Sequence, residues 1–275
     1  MENNWLRRPR TWIELFVLFN LAGLAPDIFL AHSVNAFHSR AEYVPLIFSL
    51  VAPVLLLPAL WALTTGRLAL WRWLGFLVGG TAVLIGIIGL VLHLQSQFFQ
   101  QWTLASLVYA APFAAPLAYT GLGSLLIMNR MVADQETEWA QWVVFFALGG
   151  FAGNFIFSLT DHAQNGFFYR TEWIPVISSA VAVGCLIMPL VRKVDRVFLR
   201  LCGVVMLAQV AVGALGLTFH ALADWHHAGD SLFLRIVHGA PIFAPTLFCD
   251  LAVLAGIGLW TLGSQHPQNK EPSRH

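Results

Sequence analysis

Apolar runs of membrane-spanning length dominate this chain and decide what it can fold into. A helix needs about 20 mostly apolar residues to cross the hydrocarbon core of a bilayer. Eight stretches qualify, at residues 12–33, 44–63, 70–93, 104–129, 142–160, 174–191, 200–222 and 236–262. Of the 275 residues, 58% are apolar and 11% charged, whereas a soluble domain carries about 25% charged residues. A net charge of +1 offers no basic surface for nucleic acid. The sequence therefore predicts an all-α polytopic membrane protein whose first partner is the lipid bilayer.

The basic residues test the helix count, because short cytoplasmic loops collect Lys and Arg. With eight crossings and the N-terminus inside, twelve of the fifteen basic residues fall on the cytoplasmic side. Three, Arg40, Arg170 and Arg235, fall outside. This split predicts cytoplasmic N- and C-termini. No small-residue cleavage site stands before Asn20, so the first helix reads as retained and not as a signal peptide. A bacterial inner membrane is the expected setting.

The chain also repeats itself. Residues 12–52 align without a gap on residues 142–182, 130 positions later, with fifteen of forty-one positions identical. The densest part pairs His32, Asn35, Phe37, Arg40, Glu42 and Pro45 with His162, Asn165, Phe167, Arg170, Glu172 and Pro175. A second match pairs Gly86, Gly89 and His93 with Gly213, Gly216 and His220, at offset 127. A third pairs Ala111-Pro112-x-x-Ala115-Pro116 with Ala240-Pro241-x-x-Ala244-Pro245, at offset 129. The predicted organisation is an N-terminal cytoplasmic segment (1–11), a first four-helix repeat (12–129), a cytoplasmic linker (130–141), a second four-helix repeat (142–262) and a polar cytoplasmic tail (263–275). Four is an even number, so both repeats enter the membrane from one side, as parallel repeats about an axis along the membrane normal.

Eight of the ten histidines fall on the outer face of this topology. His32, His93, His162 and His220 end helices, His238 begins the last one, and His38, His226 and His227 lie in loops; His266 and His275 belong to the tail. Neutral imidazole is a common ligand for Zn, Cu and Fe and the usual protein ligand of haem iron, and it needs an orienting partner. Anchoring helix ends at the interface is the plainer use of such rings, but anchoring does not require the same ring at the same position in both halves. The expected cofactor-binding residues are therefore His32, His93, His162 and His220, serving haem b or a transition metal.

The second half carries the richer ligand set. His220, Asp224 and His227 have the spacing i, i+4, i+7 of one helical face, where the first half offers His93, Gln97 and Gln100. Asp161 replaces Ala31 and His238 replaces Tyr109. A mononuclear site of His162, His220, Asp224, His227 and His238 is the expectation, with copper, zinc or iron ahead of magnesium because nitrogen ligands dominate. The plain alternative is a wet outer loop with ordinary charges.

Asn35, Arg40, Glu42, Asn165, Arg170 and Glu172 are candidate orienting or anion-binding residues. Pro45 and Pro175 suit the first turn of a helix, Glu42 and Glu172 favour its positive end, and Arg40 and Arg170 can pair with those carboxylates or with lipid phosphates. The arginine fork also suits a propionate or another carboxylate. The Gly-x-x-Gly elements predict close helix packing, and the Ala-Pro-x-x-Ala-Pro elements predict kinks in helices 4 and 8. Asp27 and Asp250 are intramembrane acids and hence candidates for proton coupling. Cys185, Cys202 and Cys249 lack the spacing of a disulfide framework or zinc cage. Hydrolase, metalloprotease, ATPase and dinucleotide motifs are missing from the sequence.

These features support three expectations. The first is a redox or electron-transfer component with a His-rich metal or haem site at the outer face, working beside other membrane subunits or an outer-face electron-transfer partner. The second is a proton-coupled transporter of a small solute or cation. The third is an accessory subunit whose repeats serve packing within a larger complex.

Overall fold

The structure, a computed structural model, describes residues 8–109 and 111–265. Most of the predicted N-terminal segment and tail, with Arg7, His266, Lys270, Arg274 and His275, lies outside the described residues. The long helices are α1 (Pro9–Ser33), α2 (Tyr43–Thr64), α3 (Leu68–Gln95), α7 (Thr137–Gln164), α8 (Trp173–Val191), α9 (Arg196–His226) and α11 (Thr246–Gln265). Each belongs to one of seven segments long and apolar enough to cross a membrane. Their outward faces are apolar too: Leu50, Val54 and Leu57 on α2 and Val204 and Leu207 on α9 are all more than half exposed. Apolar exposure on this scale belongs in lipid, and the chain is an integral membrane protein.

The sequence reading of an unbroken helix over 104–129 is corrected. This stretch holds a one-turn helix, α5 (Leu104–Val108), and then α6 (Leu117–Met131), whose 15 residues are short for a full crossing. A further turn, α4 (Phe98–Gln101), precedes them. The stretch 236–262 divides in the same way, into α10 (Leu232–His238) and α11. Both Ala-Pro-x-x-Ala-Pro elements lie between the fragments. Two prolines four residues apart remove two backbone donors and block the preceding turn, so the expected kink is a complete break.

Within the first half α1 packs on α2, α2 on α3, α3 on α6 and α6 back on α1; α7, α8, α9 and α11 repeat the circuit. The halves meet through α6 against α7 and α1 against α11, so the core runs along these four helices. The paired glycines do the expected packing. A Cβ on Gly89 would stand 2.8 Å from Pro116 Cβ, and one on Gly216 2.8 Å from Pro245 Cβ. The break prolines thus seat directly on α3 and α9.

A buried polar network marks the end of the bundle where α1 begins. Glu14 of α1 and Arg130 of α6 form an ion pair with side chains 2% and 0% exposed, including an Nη2 to Oε2 bond of 2.9 Å. Trp71 Nε1 (3.1 Å) and Asn129 Nδ2 (2.8 Å) also donate to Glu14 Oε1. The guanidinium donates to the Trp71 carbonyl and lies 4.2 Å from the centre of its ring. Trp139 of α7 donates to Asn129 Oδ1 at 3.1 Å, which joins the second half to the network. The corresponding positions of the second half hold Val144, Phe198, Gly258 and Leu259, so the network exists once. Removing one partner of a buried ion pair costs about 3–5 kcal/mol, whereas replacing both by apolar residues is often neutral. Arg130→Leu is accordingly expected to lower the unfolding temperature in detergent sharply, and Glu14→Val with Arg130→Leu, which copies the second half, to restore most of it. A double variant as unstable as the single one would contradict this.

Candidate functional site

Backbone that leaves a helix must find other partners for its N–H and C=O groups. At both breaks side chains in or just past the last two turns of the preceding long helix supply them. His93 Nδ1 lies 2.9 Å from the Pro112 carbonyl oxygen, and His220 Nδ1 lies 2.9 Å from that of Pro241. A carbonyl only accepts, so each Nδ1 carries the proton, and in the neutral ring Nε2 keeps its lone pair. The amide just before each proline is held as well. Ala111 N donates to Ser96 Oγ at 3.0 Å, and Ala240 N donates to Asp224 Oδ1 at 2.7 Å. Each Ala-Pro dipeptide is thus clamped through its alanine amide and its proline carbonyl.

The other two histidines stand at the ends of α1 and α7. There the chain closes a tight turn in which Phe37 N donates to the His32 carbonyl at 3.0 Å and Phe167 N to that of His162 at 2.9 Å. Both phenylalanines have φ of +52°. Phe37 stacks on Tyr43 with ring centres 4.7 Å apart, and Phe167 on Trp173 at 4.1 Å. The turn returns a carboxylate beneath each ring: His32 Nδ1 is 3.4 Å from Glu42 Oε2, and His162 Nδ1 is 3.7 Å from Glu172 Oε2. Glu42 Oε1 accepts from Asn35 Nδ2 at 3.2 Å and from Ser39 N at 3.3 Å, closing a capping box with Ser39. The expected pairing of Arg40 with Glu42 is therefore replaced by contacts to Asn35, Ser39 and His32. Arg40 and Arg170 are exposed, each opening a three-residue 3-10 turn, and Asn165 is exposed beside them.

In each half the two histidines lie together. The rings of His32 and His93 meet edge-on, with centres 6.3 Å apart and planes at 83°. His162 and His220 are likewise within electrostatic reach of each other. Glu42 Oε2 and Glu172 Oε2 are buried oxygens without a hydrogen-bond partner. Each half thus gathers two half-buried imidazoles, one whose Nδ1 is bonded to a proline carbonyl and one whose Nδ1 stands near a carboxylate oxygen that makes no hydrogen bond.

The five-residue ligand set expected in the second half is not brought together. Asp224 is buried, with Oδ1 spent on Ala240 and Oδ2 unpartnered. His227 follows the end of α9 with extended backbone and is exposed, and His238 ends α10, also exposed. Among the described residues no group of three or more His, Cys, Asp or Glu is placed to hold a metal ion. The i, i+4, i+7 spacing misleads because the Asp224 carboxylate turns toward the break. Asp27 and Asp250 are half-buried within α1 and α11, and Asp27 lies within electrostatic reach of Tyr119, whose hydroxyl donates to the Pro45 carbonyl at 2.9 Å. The three cysteines are free, and Cys202 is buried in the core. Sequence reasoning passed over Ser96 and the carbonyls of Pro112 and Pro241. The available signal was a polar residue one turn beyond each matched histidine, ahead of a matched Ala-Pro. Set against known protein families, curated proteins and solved structures, the chain matches none.

The clamp makes a direct prediction. Asp224→Ala leaves the Ala240 amide unpaired, a loss of about 1–3 kcal/mol, while Asp224→Asn keeps an acceptor and most of the stability. Thermal unfolding of the two variants in detergent measures the difference, and an unchanged Asp224→Ala protein would refute the role of Asp224 as a clamp.

Proposed function

We propose that this protein is a redox or electron-transfer component of a membrane complex, with a transition metal or haem iron held by paired histidines at the outer face. In this reading the bundle comprises two parallel four-helix repeats with eight crossings. The fourth and eighth are the broken segments α5–α6 and α10–α11, and both termini are cytoplasmic, in a bacterial inner membrane. The outer face is the histidine end, where among the described residues the arginines are Arg40, Arg170 and Arg235.

The observation that carries the reading is the contact of His32 with His93 while a carbonyl accepts from His93 Nδ1 and a carboxylate stands 3.4 Å from His32 Nδ1. Metal-bound histidines characteristically give their other nitrogen to such a partner, which fixes the tautomer and the ring. The two ring centres lie 6.3 Å apart. With two protein nitrogens per half, the remaining ligands must come from elsewhere. Haem b would be held by His32 with His93 and by His162 with His220, and would supply one-electron chemistry there. Copper suits imidazole as well, whereas a structural zinc site takes four protein ligands. The exposed Arg40 and Arg170 would then meet propionates or lipid phosphates. With so little chain outside the helices, electrons would be exchanged with neighbouring subunits or with a protein docking at the outer face.

Visible spectra of the detergent-purified protein, oxidised and then reduced with dithionite, test the proposal alongside elemental analysis. A Soret band that shifts on reduction, or about stoichiometric copper, is expected, and is lost when His32 and His162 are both replaced by Ala. A colourless preparation free of iron and copper would overturn the reading.

A further inference from the structure

We infer that the chain holds two metal centres side by side at one end of the bundle, one in each half, in place of a single centre in the second half. This rests on the reading of the histidine pairs as metal ligands and deepens it by fixing the number of sites, their ligands and their placement.

Sequence favours the second half because of Asp224, His227 and His238. The structure removes that advantage. Asp224 spends Oδ1 on the Ala240 amide, the task that Ser96 performs for Ala111, and His227 and His238 are exposed. What remains is alike in both halves, with the ring-to-ring histidine contact seen in the first. A histidine ending α1 or α7 faces a glutamate through Nδ1, at 3.4 and 3.7 Å. A histidine on α3 or α9 faces a proline carbonyl through Nδ1, at 2.9 Å in both cases. The aromatic stack that shapes the turn and the orphaned glutamate oxygen also occur twice. Coincidental packing would not be expected to place an oxygen beside the Nδ1 of all four rings. If anything the first half is the better ordered, since Glu42 alone has the Asn35 and Ser39 bonds.

The two sites share one end of the molecule. Gln164, two residues past His162, donates through Nε2 to the Val108 carbonyl at 2.7 Å. A small recess bounded by Pro112 of the first break and by Asp161 and Gln164 of α7 lies between the halves. On the opposite side Phe29 of α1 meets Phe233 of α10, with ring centres 6.2 Å apart. Each break therefore rests on the first helix of the other half, next to the histidine that helix carries. The ligand class for both sites is a metal accepting two imidazoles, either haem iron or a late transition metal such as copper.

The test counts equivalents. Full-length protein, stripped of metal and held in detergent, is titrated with haemin and, in a separate anaerobic arm, with Cu(I). The arms distinguish the macrocycle from the bare ion. His32→Ala and His162→Ala are the informative variants because neither ring holds a break, so both are expected to fold; circular dichroism and a monodisperse elution profile check this. Two equivalents are expected for the natural sequence in one arm, one equivalent for each single variant and none for the double variant. One equivalent, lost in His162→Ala and kept in His32→Ala, would overturn the two-centre inference and leave the metal reading standing. Two equivalents that survive the double variant would show that the bound metal lies elsewhere, which also overturns it. No binding in either arm would sink the metal reading itself, and the inference with it.

Discussion

Backbone polar groups shielded from water need partners, and the rest of this structure depends on how two helices meet that constraint where they break. The Ala-Pro-x-x-Ala-Pro elements end the helical ladder, and the freed groups of Ala111, Pro112, Ala240 and Pro241 are taken up by Ser96, His93, Asp224 and His220. The break fixes the histidine as much as the histidine fixes the break. A ring held through Nδ1 has one tautomer and one orientation, and it presents Nε2 at the end of a helix. Break prolines seated on Gly89 and Gly216 bring the two elements close enough for these bonds.

The second histidine of each pair is prepared differently. His32 and His162 face carboxylates held by a tight turn, where His93 and His220 face carbonyls. A carboxylate beside Nδ1–H makes the ring a stronger donor to a metal than a neutral carbonyl does, so each pair combines unequal imidazoles. The duplication maintains this inequality in both halves. The opposite end of the bundle follows another logic. There Glu14, Trp71, Asn129, Arg130 and Trp139 close a polar network that the second half replaces with apolar residues and glycine. A buried network present once ties the halves together through Trp139 and distinguishes one from the other.

The sequence carried the membrane class, seven of the helices and the grouping of histidines at helix ends, because each rests on local signals: apolar length, periodicity and matched spacing. It misplaced what depends on contacts far apart along the chain. Ala, Pro and Phe at residues 111–116 do not interrupt the apolar run, so apolar length alone does not distinguish a kink from a break. Asp224 resembles a ligand at helical spacing from His220 until the amide of Ala240, sixteen residues on, is found beside it. Arg130 counts as a loop charge by the positive-inside rule, yet it is buried against Glu14, 116 residues away. Ser96 and Asp224 perform one task with different side chains at positions one residue out of register, which is why matching the two halves does not align them.

The central claim is that His93 and His220 are locked with the proton on Nδ1 and the lone pair on Nε2. Nitrogen-15 NMR of histidine-labelled, metal-free protein reads this state directly, with His93→Gln and His220→Gln providing the assignments. In the neutral rings both residues are predicted to show a protonated Nδ1 and an unprotonated Nε2. Protonation at Nε2, the form that free imidazole side chains favour, would contradict the account.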